Sequence, residues 1–332
     1  MGNRLIVWEA RAHRWMPDQI IHDMFDMDLK YNPVAIGVED TGLNEWVLQP
    51  LRQSQLTRSQ LLPIRPLHAP KGKQDFIKGL QPFFRAREVV FAGDKSEFRD
   101  AVEQLTSFPT GHDDIPNALA YLLKMRPGLP VYDGFGSGHL FDELSIVPRV
   151  PLYLAINSGD GVTTAALIQA TGGLLCILAD WAVDADPGQC LSGIVQAAGA
   201  YANGPLVHYA PREQFTMSMS GLKAAARAVP LELRKGGELY TGREFVRGAM
   251  DKNVRGIACL RIGKDATWTR RAFSGGYAIA HGKMEPADGL YKVLMNGVES
   301  FVATLGSGLA KEADNVQYAT APDGRRFISA RG

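Results

Sequence analysis

GHDDIPNALAYLL, residues 111–123, sets His112 and two adjacent acids, Asp113 and Asp114, at the mouth of an apolar helical pattern. Ala118, Leu119, Leu122 and Leu123 supply an i, i+4 stripe. Pro116 suits the first turn, where a missing N–H leaves nothing unpaired. One Asp is accounted for as an N-cap, because its side-chain oxygen accepts an orphan backbone N–H. The second is not. Adjacent carboxylates are also the oxygen donors that Mg²⁺ and Mn²⁺ prefer. The pair therefore has two readings, a cap and a metal site.

Upstream of this helix the pattern is that of an α/β unit. RLIVWEA (4–10) reads as a strand and PDQIIHDMFDMDLKY (17–31) as a helix. VAIGVE (34–39) is a short apolar run, as in a strand buried on both faces. FIKGLQPFFR (76–85) is amphipathic, EVVFAG (88–93) a strand and SEFRDAVEQLTSF (96–108) a helix. The same order returns downstream. LLCILADWAV (174–183) and PLVHYA (205–210) are strands either side of the helical PGQCLSGIVQAAGAYA (187–202). GREFVRGAMDKNVRGIACLRIG (242–263) matches GKQDFIKGLQPFFRAREVVFAG (72–93) in length and pattern, and DGLYKVLMNGVESFVATL (288–305) takes the place of DDIPNALAYLL. The offset stays near 170 residues, which points to two copies of one domain. The second copy alone begins with two more strands, PLYLAI (151–156) and TTAALIQA (163–170), around NSGDGV. The expected division is a first domain over 1–126, a Gly- and Pro-containing linker over 127–148, a second domain over 149–310 and a tail over 311–332.

In order and spacing, VAIGVEDTG, KGKQDFIKGLQPFFRAREVVF and FPTGHDDIPNALAYLL resemble the C-terminal nuclease domain of bacteriophage terminase large subunits. TWTRRAFSGGYA and LYKVLMNGVESF resemble it more loosely. The resemblance implies an RNase H-like fold, a mixed sheet in order 3-2-1-4-5 flanked by helices. It implies a nuclease cutting double-stranded DNA with two divalent metals, Mg²⁺ or Mn²⁺, held by carboxylates. By position, Glu39 is the strand-4 acid, and Asp113 and Asp114 are the last-helix acids. Two such metals clamp a scissile phosphate, one activating water and the other steadying the leaving oxygen. Lys71, Lys73 and His112 are candidates for contacting DNA phosphates.

The pattern breaks in three places. The first copy starts at the expected strand 3, so the strand-1 acid is missing, and Glu9 lies on an outer strand away from strand 4. Either strands 3 and 4 then pair directly or another element fills the gap. In the second copy, Asn157 stands where a strand-1 Asp belongs, with Asp160 in the turn. Pro211 stands opposite Glu39, with Glu213 displaced, and Asp288 at the HDD position. This copy reads as a degenerate site. No GxxxxGK[ST] phosphate loop occurs, so an ATPase has to come from a separate chain or upstream terminase segment, with a portal or small terminase as further partners.

The chain has 332 residues, 45% hydrophobic and 21% charged, with net charge +1. This is an ordinary globular composition without a strong global pull on nucleic acid. No apolar run reaches membrane-spanning length, and the N-terminus lacks the form of a secretory signal. Three scattered cysteines fit a reducing compartment. The leading expectation is a Mg²⁺- or Mn²⁺-dependent endonuclease domain of a viral packaging terminase, in the host cytoplasm. The alternative is a catalytically inactive tandem RNase H-like scaffold that binds DNA or packaging-motor proteins. Another RNase H-like enzyme, a resolvase or transposase relative, is a weaker third.

Overall fold

A computed structural model describes residues 4–39, 47–58, 60–68, 70–94, 96–126, 128–171, 173–215, 221–229, 231–254, 256–280, 283–305, 317–320 and 326–329. The chain divides into two compact units, Met1–Arg126 and Pro127–Gly332.

The first unit runs β1 (Leu5–Val7), α1 (Pro17–Tyr31), β2 (Ile36–Glu39), α2 (Gln49–Arg58), β3 (Ile64–Leu67), α3 (Lys73–Lys78), α4 (Gln81–Arg85), β4 (Val89–Phe91), α5 (Arg99–Ser107) and α6 (Asp114–Lys124). Its strands form two separate parallel pairs, β1 with β4 and β2 with β3. Of the two expected alternatives, direct pairing of β1 with β2 is not seen among the described residues. β3 was hidden in the sequence because IRPL is short and carries Pro66, which donates nothing to a ladder.

The apolar residues follow this split. Val7 and Val89 pack with Ile77, Leu80, Phe98, Ile115 and Leu119 in one cluster. Ile21, Phe25, Leu51 and Leu62 form another, against which Ile36 and Ile64 pack. The expected helix over 76–85 is two short helices, because Pro82 sits in its middle and cannot donate an intrahelical bond.

The second unit runs β5 (Leu129–Pro130), β6 (Leu140–Phe141), β7 (Leu152–Gly159), β8 (Val162–Thr171), β9 (Leu174–Val183), α7 (Pro187–Ala202), β10 (Leu206–Ala210), α8 (Gly221–Ala228), β11 (Leu233–Lys235), α9 (Leu239–Asp251), β12 (Asn253–Val254), β13 (Ile257–Ala258), β14 (Leu260–Asp265), α10 (Thr267–Arg271), β15 (Ala278–Ile279), α11 (Leu290–Val302), β16 (Gln317–Thr320) and β17 (Arg326–Ser329). Apart from β16 and β17, the tail expected over 311–332 lies outside the described residues. A seven-stranded mixed sheet has the order β11-β10-β7-β8-β9-β14-β6. From β9 to β11, the five strands β7 to β11 lie in the order third, second, first, fourth, fifth. Residues 127–148 contribute β6 to this sheet and β5, which pairs with β15.

Alternation along β7 decides what faces what, since successive side chains leave a strand on opposite sides. Leu152, Leu154 and Ile156 pack with Leu191, Ile194 and Ala198 of α7 and Leu222 of α8. Tyr153 and Asn157 face α11: the Tyr153 ring lies 4.8 Å from that of Phe301, and Asn157 bonds to the α11 backbone. Leu154, Ile156, Leu167, Leu174 and Ile177 have no exposed surface, and each such side chain contributes about 1.5–3 kcal/mol by burial. The β7–β8 turn uses Asp160 and Gly161, both at positive φ (52° and 77°), the Asp-Gly pair that a tight hairpin favours.

Candidate functional site

In the first unit the candidate acids meet where β2 ends and α6 begins. Glu39 closes β2, and its Oε2 accepts from Asn117 Nδ2 at 2.9 Å. Asn117 is buried one turn into α6, and its Oδ1 has no hydrogen-bond partner. Asp113 occupies the N-cap position of α6 without a side-chain capping bond. The cap comes from elsewhere: Gln104 of α5, largely buried, accepts the Ile115 N–H at 2.9 Å. That corrects the capping reading of the HDD pair.

Asp113 instead meets a cation. Lys73, at the start of α3, places Nζ 2.8 Å from Asp113 Oδ1. The bond to Asp113 raises the lysine pKa above its ordinary value, and the charges of Asp113, Asp114 and Glu39 add to it. Negative charge from the acids is thus answered by an ammonium. Asp114 is exposed at the first helical position, where it complements the helix dipole. Burial, with the nearby charge of Glu39, raises the pKa of Tyr121, whose hydroxyl donates to the His68 carbonyl at 3.3 Å. Lys71 and His112 are exposed. Glu9 lies two residues beyond the end of β1 and is occupied there: it takes Lys30 Nζ at 2.8 Å, Tyr31 Oη at 2.6 Å and Arg11 Nε at 2.9 Å. The Lys30 and Tyr31 bonds hold its carboxyl below the usual range.

The second unit holds amides where the resemblance leads one to expect acids. Asn157, 6% exposed on β7, donates from Nδ2 to the Val293 carbonyl of α11 at 2.8 Å. Its Oδ1 accepts Gln214 Nε2 at 3.0 Å and the Ser158 N–H at 2.9 Å. Gln214 also donates to the Ser158 carbonyl at 2.8 Å. Two neutral amides, mutually bonded and closed off by backbone, fill the place between β7, the turn after β10 and α11. Gln214 could not be found by strand position. A short 3-10 turn, Arg212–Phe215, turns it back toward β7, past Pro211 and the exposed Glu213. Asp160 is a turn residue whose Oδ2 accepts the Gly289 N–H at 2.9 Å before α11. Asp288 pairs with Lys292 at 2.7 Å, and that bond lowers its pKa.

The expected two-metal centre is overturned by this geometry. Among the described residues, no group of three or more His, Cys, Asp or Glu side chains is placed to hold a metal ion. Glu39, Asp113 and Asp114 do not make a Mg²⁺ or Mn²⁺ site: the first is bonded to an amide and the second to an ammonium. Asn157, Asp160 and Asp288 are each bound into the fold. The reading of this chain as a metal-dependent DNA endonuclease falls with that site. Among the described residues, no helix is long and apolar enough to cross a membrane.

No protein-family model and no curated protein matches the sequence. Among solved structures, the chain is similar to the large terminase of a thermophilic bacteriophage. The identity is 12% and the TM-score 0.41, over 90% of this chain and 93% of that one. It is also similar to the HK97 bacteriophage large terminase, with 10% identity and a TM-score of 0.34 over 82% of this chain and 70% of that one. Likeness at this distance assigns no residue a role.

Proposed function

We propose that this chain is a non-catalytic scaffold of two RNase H-like units that binds DNA or packaging-motor proteins. The observation that carries the reading is the Asn157–Gln214 amide pair. Clustered carboxylates repel one another unless cations neutralise them. Two bonded amides need no cation, so the centre of the second sheet is closed by its own hydrogen bonds. In the first unit, Lys73 answers the acids in the same sense.

Ladder registers support the reading of two related units. Leu5 pairs with Val89 in β1–β4, and Leu175 pairs with Leu260 in β9–β14. Ile36 pairs with Ile64 in β2–β3, and His208 pairs with Leu233 in β10–β11. Each residue of the first pairings has its counterpart about 170 positions on, the offset of the sequence repeat. The motif succession ending in HDD supports the packaging context. Lys71 and His112, exposed near the α6 mouth, are proposed to contact phosphates in the DNA-binding form of the reading, with Lys73 held back by Asp113.

The test is incubation of the full chain with linear and supercoiled plasmid in Mg²⁺, Mn²⁺ or EDTA, beside Asp113→Ala/Asp114→Ala. The expected result is no cutting above the double variant in any metal. Metal-dependent cutting that the double variant loses overturns the proposal. Fluorescence anisotropy with a labelled duplex across a salt series then measures DNA binding, whose electrostatic part weakens steeply with salt.

A further inference from the structure

A cavity of about 400 Å³ lies in the first unit, between the α3–α4 pair and the corner where α5 gives way to α6. Its volume falls in the range of small-molecule sites, about 300–1,000 Å³. Glu39, Asp113 and Asp114 take no part in its lining. Most of that lining is apolar. Ile77, Leu80 and Pro116 are buried. Phe84, Leu105 and Phe108 pack on the same cluster as Ile77 and Leu80, yet each stays half-buried. Three large apolar side chains, from both sides of the cavity, thus keep apolar surface uncovered.

The exposed part of the lining has the opposite character. It consists of Lys78, Gln81 and Arg85, two cations and an amide, with no carboxylate. Lys78 ends α3 and Arg85 ends α4. Lys78 Nζ meets Asp75 at 3.2 Å, an exposed pair within one helical turn that holds the ammonium only weakly. The Arg85 guanidinium has no ion pair or hydrogen bond among the described residues.

We propose that this cavity binds a free, monomeric amphiphile with an apolar acyl or aryl body and one anionic head. The body covers Phe84, Leu105 and Phe108. The head, a carboxylate, sulfonate or phosphate, is held by Lys78 and Arg85. The two-sided lining selects this class. A wholly apolar molecule leaves both cations unanswered, a bare anion leaves the apolar walls uncovered, and a cationic head meets two like charges. The volume sets the size. One turn of an α-helix with its side chains, a cylinder about 10–12 Å across and 5.4 Å long, already takes about 420–610 Å³. The space therefore suits one compact molecule and not a length of partner chain.

The experiment follows the methyl groups of Ile77, Leu80 and Leu105 by NMR in the full chain, as decanoate is added below its micelle concentration. Decylammonium, the same chain with a cationic head, is titrated in parallel. Phosphatidylcholine vesicles containing phosphatidylglycerol offer acyl chains and anionic heads in bilayer form. Decanoate should shift these methyls saturably, and decylammonium should bind at least about tenfold more weakly. Vesicles should leave the methyls where they are. In Lys78→Glu/Arg85→Glu, which alters two exposed side chains, the preference between the two heads should invert. Leu105→Trp fills the cavity and should weaken decanoate at least about tenfold, read at Ile77 and Leu80. Absence of saturable shifts at these methyls, equal affinity for the two heads, or an unchanged preference in the charge-reversed variant overturns the proposal. Methyls moved by vesicles and not by free decanoate overturn it too, in favour of a membrane surface.

Discussion

Gln214 Nε2 lies 3.0 Å from Asn157 Oδ1, and this bond ties the turn after β10 to the C-terminal part of β7. Through Asn157 Nδ2 and Val293 the tie extends to α11. Three elements that would converge on a charged site in the expected nuclease converge here on neutral amides.

Replacing Asn157 tests that arrangement. Asn157→Ala removes a buried donor and acceptor and leaves their partners underbonded, at a cost of about 2–3 kcal/mol in urea unfolding. Asn157→Asp cannot donate to Val293 when ionised. Burial should push its carboxyl pKa above the unfolded value near 4. The folded state then holds the proton longer, so the variant loses stability as pH rises from about 4 toward neutrality. Equal losses at pH 4 and pH 7 would refute this account of the pocket.

Asp180 gives the wild-type chain a pH signature of its own. It is buried on β9 and accepts the Trp268 N–H at 3.1 Å and the Thr269 N–H at 2.5 Å. Burial pushes its pKa from 3.8 up to about 6, against these hydrogen bonds. The folded state therefore binds more protons than the unfolded state between about pH 4 and 6. Stability contributed by the protonated group is present at the acid end and lost across that window, up to about 3 kcal/mol. Unfolding midpoints against pH, compared with Asp180→Asn, isolate the contribution; a rise with pH in the difference would contradict the sign.

Glu299 on α11 sits in a closed network. Tyr132 donates to it at 2.6 Å, Tyr277 at 3.3 Å and the Arg243 guanidinium at 3.4 Å. Burial raises its pKa and the Arg243 charge opposes the rise. Glu299→Ala strands a mostly buried arginine and should cost about 3–5 kcal/mol. Replacing both groups, as Arg243→Met/Glu299→Leu, should cost less than the sum of the singles, which a double-mutant cycle by calorimetry measures. Beside this network α9 meets α11 at Gly242, where any Cβ would strike the Glu299 carbonyl. Gly242→Ala should lower the melting temperature by several degrees through that contact.

At the HDD helix, the cap and the ion pair should separate cleanly. Gln104→Ala leaves the buried Ile115 N–H without its acceptor and should cost about 1–2 kcal/mol, with faster exchange of that amide. Lys73→Ala removes a partly exposed pair and should change stability by less than about 1 kcal/mol. A larger loss for Lys73→Ala than for Gln104→Ala would reverse the roles assigned here.

LLCILADWAV and the two strands around NSGDGV are apolar runs plain in the sequence, and they became strands buried on both faces. VAIGVE also became a strand, but contrary to expectation none of its residues is buried and Gly37 is exposed. β3 and β11 were missed because each is three or four residues long, with Pro66 or charged side chains breaking the apolar signal. The charges of Glu39, Asp113 and Asp114 all act on Lys73, but residue type alone could not say what would meet them.

What the sequence by itself determined is therefore local and periodic: the order of strands and helices, the apolar faces and the Asp-Gly turn. Those follow from backbone propensity and the two periods of 2 and 3.6 residues, which every short window carries. Only the tertiary structure decided partners. Lys73 reaches Asp113 from 40 positions away, Asn117 reaches Glu39 from 78, and Gln214 reaches Asn157 from 57. No pattern within a window encodes such pairings, because they arise when packed helices and strands bring distant side chains within hydrogen-bond range.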